Sequence, residues 1–326
     1  MAALTRDAAN YISELITVGG GIANPTAPLF DLCAGVGNLR RQKGMAIAMS
    51  VLSTSSNATQ AVITEAASGA AITATNYATS QLSNIMQIMQ RTVDVTAVKE
   101  AASGEIEGVS LLGQPVIMNG IDLQLMKALE DIKMDIEFSL INGTYVADGG
   151  SAVASSTTGL LEAITASIET AGDADITKAF LNSLLTKMSS AGAKFINPII
   201  LCGDREQIIL NDLYGFATQS NVVGGTNVSK IWTSKGLFQV VYEPMMPAGS
   251  LVVADLAYLK PTFMPLPVTI GSGEIINVGN LASGLDVAVY NKSSGGASIA
   301  RIVQTVMGLN YGNEALHGKI TGLKTV

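Results

Sequence analysis

Residues 84–96, NIMQIMQRTVDVT, and residues 121–143, IDLQLMKALEDIKMDIEFSLING, read as one unit: a strand, a glycine-rich turn, and a single long helix. From Met89 to Thr96 apolar and polar residues roughly alternate, as a strand with one covered face requires, so this strand sits in a sheet with one wet side. In the second segment Leu125, Leu129, Ile132, Ile136 and Leu140 recur at spacings of three and four, while Asp122, Lys127, Glu130, Asp131, Lys133, Asp135 and Glu137 fall largely elsewhere. That pattern predicts an amphipathic helix over Ile121–Ile141, about 30 Å long at roughly 1.5 Å per residue, whose apolar stripe must lie on something. Asn119 is placed to cap its start, Lys127 and Asp131 to pair one turn apart, and Gly143 to end it as a left-handed stop.

Three features of this tract go beyond amphipathicity. Asn84, Gln87 and Ile88 form an Asn-x-x-Gln-Ile strand, Lys127-Ala128-Leu129 and Asp135-Ile136-Glu137 stand in the helix, and Leu140 with Gly143 closes it as Leu-x-x-Gly. In these the chain resembles the major capsid proteins of tailed bacteriophages, which share the Hong Kong 97-type coat fold and its long spine helix. The resemblance implies an α+β fold with an N-terminal arm (1–44), an extension-loop hairpin (45–83), a peripheral domain (84–145 and 263–308) and a mixed axial domain (146–262 and 309–326).

Composition is consistent with an assembling subunit. The 326 residues suffice for one large or two modest domains. Hydrophobic residues make up 48% and charged residues 14%, well below the roughly 25% charged of an average soluble chain. A monomer so thinly charged would expose much neutral surface, which suits a subunit that buries its exterior against neighbours, although a thinly charged enzyme is also open. The net charge of -7, with only Arg40, Arg41 and Lys43 clustered, argues against a nucleic-acid reader, because phosphate contacts need basic groups gathered on one face. No run reaches the roughly 18 apolar residues of a membrane span. No basic start followed by an apolar core indicates secretion.

Along the chain, Leu4, Ala8, Tyr11, Ile12 and Leu15 share a helical face that Gly19-Gly20-Gly21 ends. Ile22 to Lys43, with Pro25, Pro28, Gly35, Gly37 and an isolated Leu29-Phe30 pair, has the composition of an extended arm. By the resemblance this arm, Leu29-Phe30 included, reaches a neighbouring subunit, and the subunit folds without residues 1–44. Residues 45–83 are rich in Ala, Ser and Thr, carry Glu65 as their only charge and show a turn signal at Ala67-Ser68-Gly69, which predicts a long hairpin. Later elements are a helix over Ile176–Ser190 capped by Asp175, a buried strand Phe195–Cys202, a helix from Asp204, strands Leu237–Tyr242 and Ser250–Ala254, and alternating runs Ile275–Val278, Leu285–Tyr290 and Ala300–Val306. Their order also resembles the coat family.

Catalytic chemistry finds little support. His317 is the sole histidine, so any Ser-His-Asp or Cys-His mechanism would hang on it; a surface histidine is the simpler reading. Cys33 and Cys202 lie far apart with no Cys-x-x-Cys spacing, as packed reduced thiols would, and no three or four zinc ligands are grouped. Gly35-Val36-Gly37 lacks the third glycine of a dinucleotide fingerprint because Arg40 stands there. Glu105 with Glu107 read as a solvated turn, and Asp173 with Asp175 as a helix cap rather than a divalent-ion site. No catalytic, cofactor-binding or metal residue is assigned, and no cofactor is expected.

The resemblance therefore implies a structural coat subunit that assembles into hexamers and pentamers of an icosahedral head around double-stranded DNA, without sequence-specific DNA binding. Scaffolding, portal and decoration proteins are its expected partners, the virion its location and the host cytoplasm its place of assembly. A bacterial encapsulin-type nanocompartment shell is the alternative on the same fold. A mixed α/β enzyme would need a nucleophile-and-base pair that the chain lacks. Some coat proteins of this type weld subunits by an isopeptide bond from an extension-loop lysine. No lysine lies between Lys43 and Lys99, which implies a shell held without that link.

Overall fold

The computed structural model describes residues 27–53, 64–69, 79–98, 121–150, 153–214, 221–223, 226–266, 276–277, 286–292 and 296–325. In chain order the helices are α1 (Pro28–Gly35), α2 (Glu65–Ser68), α3 (Ile121–Asn142), α4 (Leu160–Ala163), α5 (Lys178–Ser190) and α6 (Asp204–Tyr214). The strands are β1 (Arg40–Arg41), β2 (Ala46–Ser53), β3 (Thr79–Ile85), β4 (Gln87–Thr96), β5 (Ile168–Ala174), β6 (Pro198–Cys202), β7 (Asn221–Val223), β8 (Thr226–Thr233), β9 (Gly236–Tyr242), β10 (Leu251–Asp255), β11 (Lys260–Phe263), β12 (Ile276–Asn277), β13 (Ala288–Lys292), β14 (Ser298–Asn310) and β15 (Gly318–Leu323).

Two sheets organise these elements. In the first, β14 is the central strand: it pairs antiparallel with β4 from Ser298↔Thr96 to Met307↔Gln87, with β13, and with β11, which carries β1 in parallel. Helix α3 lies on β4 and β14, burying Leu125, Leu129, Ile132, Ile136 and Leu140, the stripe its spacing predicts. On β4 the inward residues are Met89, Val93 and Val95, while Gln90, Thr92, Asp94 and Thr96 face solvent. The hairpin β2–β3 crosses the far end of β14, where Ile47, Met49, Met86 and Val306 form a small core of their own. Gly308 makes room for it: a Cβ there would meet Ile47 Cδ1 and the Ile85 carbonyl, each at 2.7 Å.

The second sheet has the order β5-β15-β10-β6-β9-β8-β7. Strands β6 (PIILC) and β10 (LVVAD) are buried at every residue because both faces of the sheet are covered, which makes them continuous apolar runs rather than alternating ones. Ile200, Cys202, Phe238, Val240, Leu251 and Val253 pack toward α5 and α6 with Leu181, Leu184, Leu185 and Met188. Ile199, Leu201, Val241, Val252 and Ala254 turn the other way and join the core that contains α1, α3 and the first sheet.

Several expectations are corrected. Residues Pro28–Gly35 are helical, not extended, and Leu29, Phe30, Leu32 and Cys33 are buried in the chain's own core; Phe30 meets Phe263 edge-on at 6.1 Å. Pro28 at the first helical turn, with its φ already helical, favours starting a helix there. Of the turn expected at Ala67-Ser68-Gly69, Ala67 and Ser68 belong to the short helix α2 and Gly69 follows it as a turn. Gly143 takes no left-handed φ; it is small because a Cβ would run into the Ser139 carbonyl and stand 2.5 Å from that of Thr157. Lys127 pairs with Glu130, at 2.8 Å, rather than with Asp131. Thr177, not Asp175, caps α5, accepting from Phe180 N at 3.3 Å. Helix 4–17, Asn119 and Glu105 with Glu107 lie outside the described residues.

Candidate functional site

Three elements remote in sequence meet at the C-terminal half of α3, and polar groups fix how they meet. Helix α1 has no capping side chain at Ala27, so its first amides need acceptors from elsewhere. Glu137 supplies them: Leu29 N donates to Oε1 at 2.7 Å and Phe30 N to Oε2 at 2.9 Å. One helical turn back, Lys133 pairs with Asp31 of α1 at 2.7 Å. At the end of α3 the Asn142 side chain donates to the Met245 carbonyl at 2.8 Å, tying the helix to the turn between β9 and β10. Glu243 begins that turn and accepts from Met245 N at 3.1 Å.

Glu137 and Glu243 are both fully buried and face each other. Burial, and then the charge of Glu243, raises the carboxyl of Glu137 well above the usual range; burial raises Glu243 as well. Burial, with Glu137 close by, also pushes the Cys33 thiol up, so Cys33 is a neutral, packed thiol. The sequence reading placed Glu137 among residues off the apolar stripe. The signal that finds it is stripe width: residues 129, 132, 133, 136, 137 and 140 form one face once positions i+4 and i+8 are included, and Glu137 stands at the edge of that face beside Lys133.

A second polar node lies where the hairpin leaves the first sheet. The side-chain amide of Asn84 donates to the Leu309 carbonyl at 2.7 Å, Thr157 Oγ1 at 3.1 Å and the Thr158 carbonyl at 3.2 Å, while its Oδ1 accepts from Thr158 N at 3.0 Å and Ile85 N at 2.8 Å. Asn84 is thus the buried staple of the Asn-x-x-Gln-Ile segment, whereas Ile88, at 54% exposure, is not a core residue. Arg91 and Asp135 join β4 to α3 on the surface through a two-pronged pair at 2.7–3.0 Å.

His317 is buried, which corrects the expectation of a surface residue. Its Nδ1 accepts from Asp255 N at 3.3 Å and its Nε2 stands 2.8 Å from the Tyr311 carbonyl, an arrangement that the neutral ring with hydrogen on Nε2 satisfies. Burial lowers its pKa, against the Tyr311 carbonyl and the Asp255 charge. Asp255 is spent on backbone: Ile196 N at 2.7 Å, Asn197 N at 2.9 Å and Ala257 N at 3.1 Å. Both cysteines are free and buried, and Asp175 pairs with Arg205 at 2.6 Å. Among the described residues no three His, Cys, Asp or Glu side chains gather as metal ligands, and no helix is long and apolar enough to cross a membrane.

A spine helix laid across a sheet built on one long strand, a neutral hairpin at its end, and a second sheet sharing its core define a shell-forming coat fold of the Hong Kong 97 type. Solved structures agree. The capsid subunit of cyanophage A-1(L) is similar with a TM-score of 0.63 at 16% identity, covering 93% of this chain and 95% of that one. The capsid of a native GTA particle follows at 0.55 and 11%, covering 93% and 92%, and the SrpI encapsulin of Synechococcus elongatus PCC 7942 at 0.54 and 13%, covering 94% and 93%. At these identities the likeness concerns the fold, and no curated protein matches. The family model of the SU10 major capsid protein matches residues 23–324, and the chain belongs to that family. It is a structural coat protein of the phage virion that assembles into capsid shells.

Proposed function

We propose that this subunit forms the hexamers and pentamers of an icosahedral head that encloses double-stranded DNA, assembled in the host cytoplasm with scaffolding, portal and decoration proteins. The observation that carries this reading is the family match over residues 23–324. In this reading residues 84–145 and 263–308 are the peripheral domain, 146–262 and 309–326 the axial domain, and 45–83 an extension loop laid on a neighbour. The arm (1–44) is anchored to its own subunit by α1. The low content of charge supports subunits that cover one another, and the net charge of -7 gives a wall on which packaged DNA slides rather than sticks.

Size-exclusion chromatography with negative-stain electron microscopy of the chain expressed alone tests the reading. Closed shells, tubes or uniform rings are expected, and a monodisperse monomer at high concentration would refute self-assembly. On denaturing gels mature particles should run as single subunits, without an isopeptide ladder. The likeness to an encapsulin supports a second reading, a shell around cargo proteins. Nuclease-protected DNA in particles from infected cells separates the two.

A further inference from the structure

The coat role leaves one feature of the molecule unused: two carboxyl groups fully buried against each other at the meeting point of α1, α3 and the β9–β10 turn. Glutamates are almost never fully buried unless paired, and these two are paired with each other. Both oxygens of Glu137 accept helix amides, and Glu243 Oε1 accepts Met245 N. Glu243 Oε2 finds no hydrogen-bond donor among the described residues. Two carboxylates shut away from water cannot both ionise at low cost, whereas one proton between them removes the like charge and completes the hydrogen bonding of Oε2.

Among the described residues no cation neutralises the pair. From α1, Asp31 faces Lys133 of α3 and is bound to it, and Cys33 is a neutral thiol. Tyr242 of β9 and Asp204, Arg205 and Glu206 of α6 line, with Glu243, a cleft of about 220 Å³. Arg205, the cation among them, is taken up by Asp175 and by the Lys324 carbonyl. Neither Glu137 nor Glu243 has an ion-pair partner among the described residues.

We propose that Glu137 and Glu243 form a proton-operated latch, in which one proton shared by the two carboxyls holds α1 against the spine helix and the β9–β10 turn, and its removal undocks α1. The step is a simple deprotonation to solvent; no bond between heavy atoms changes. The direction follows from linkage. The folded pair keeps a proton that the unfolded chain, with ordinary glutamates near 4.3, has already released, so the hold is complete at acid pH and is lost as pH rises through the folded value. Between the ordinary glutamate value and the folded value each pH unit weakens the hold about tenfold, and above the folded value the hold stays at its weakest. The latch depends only on contacts within one chain, so its test stands apart from the question of shell formation.

Hydrogen exchange of the full-length chain, free or in shells, compares pH 6 with pH 9 after correction for intrinsic rates. In the wild type the corrected exchange of Leu29 and Phe30 should rise at least about tenfold at pH 9, while β6 and β10 stay constant. In Glu243→Gln the side-chain amide donates permanently to Glu137, leaving one well-bonded carboxylate, and the contrast should vanish. Alkylation of Cys33 gives a second reading that needs no variant, because the thiol is reached only when α1 lifts. Equal corrected exchange at both pH values, persistence of the contrast in Glu243→Gln, or Cys33 labelling indifferent to α1 exchange would each overturn the latch.

Discussion

Removing residues 1–44 separates an arm from a core element, and the two predict opposite outcomes. If α1 were only an arm, the truncated subunit would fold. In the structure α1 buries Leu29, Phe30 and Leu32 completely, each worth about 1.5–3 kcal/mol of transfer free energy. The three together contribute roughly 5–9 kcal/mol, an upper estimate because denatured chains already bury some apolar surface. Deletion also removes the two amide donors of Glu137 and the Asp31–Lys133 pair. Domains are stable by only about 5–15 kcal/mol, so the chain starting at Met45 should be insoluble or lack a cooperative transition. A chain starting at Ala27 retains α1 and should unfold cooperatively in urea. Circular dichroism in urea, run on both truncations, decides it: a cooperative transition of the shorter chain within about 1 kcal/mol of the longer would refute the assignment of α1 to the core.

Asn84→Ala should cost about 3–5 kcal/mol, because it strands a buried amide and two buried carbonyls; a urea-midpoint change equivalent to less than about 1 kcal/mol would contradict the staple. Gly143→Ala should destabilise by about 1–3 kcal/mol in thermal unfolding, since the added methyl meets two carbonyl oxygens, whereas Gly37→Ala, with open space but a left-handed φ, should cost less. Burial lowers the pKa of His317, so the unfolded chain binds its proton more readily. Stability from His317 is complete above about pH 6.5 and falls as pH drops below that, which urea midpoints of Glu243→Gln, where the carboxyl pair no longer titrates, should show at pH 7.5 and 5.5. Arg91→Ala removes only a half-exposed pair and should change stability by no more than about 1 kcal/mol.

What could be read from the sequence was what depends on periodicity. The stripe of α3, the alternation of β4 and the apolar runs of β6 and β10 each follow from where side chains point along a regular backbone, so the sheet-and-spine arrangement was legible. What depends on long-range pairing was not. Leu29-Phe30 looked isolated between prolines because its partners, Phe263 and α3, lie more than a hundred residues away in the chain. His317 looked exposed because its neighbours in sequence are unremarkable, while its hydrogen bonds go to Asp255 and Tyr311. Gly143 was assigned to the commonest reason for a glycine after a helix, yet the close approach of Thr157 and Gly159 determines it.

The junction has a mechanical consequence for a shell subunit. Because Ile199, Leu201, Val241, Val252 and Ala254 of the second sheet share a core with Leu129, Ile132, Ile136 and Val303, the two sheets cannot rotate against each other without sliding that core. Cores that are packed this densely resist continuous deformation and shift instead between discrete arrangements. Helix α1 sits across the seam: its apolar face joins the shared core, Glu137 and Lys133 hold it to the spine, and Glu243 faces Glu137 from the β9–β10 turn. The polar contacts are therefore concentrated where the apolar contacts alone, being non-directional, would permit slippage. A coat subunit must hold one shape during assembly yet accept the curvature of different shell positions. Among the described residues the seam beneath α1 is where a small change in bonding would let the two sheets move as bodies while leaving the interior of each intact.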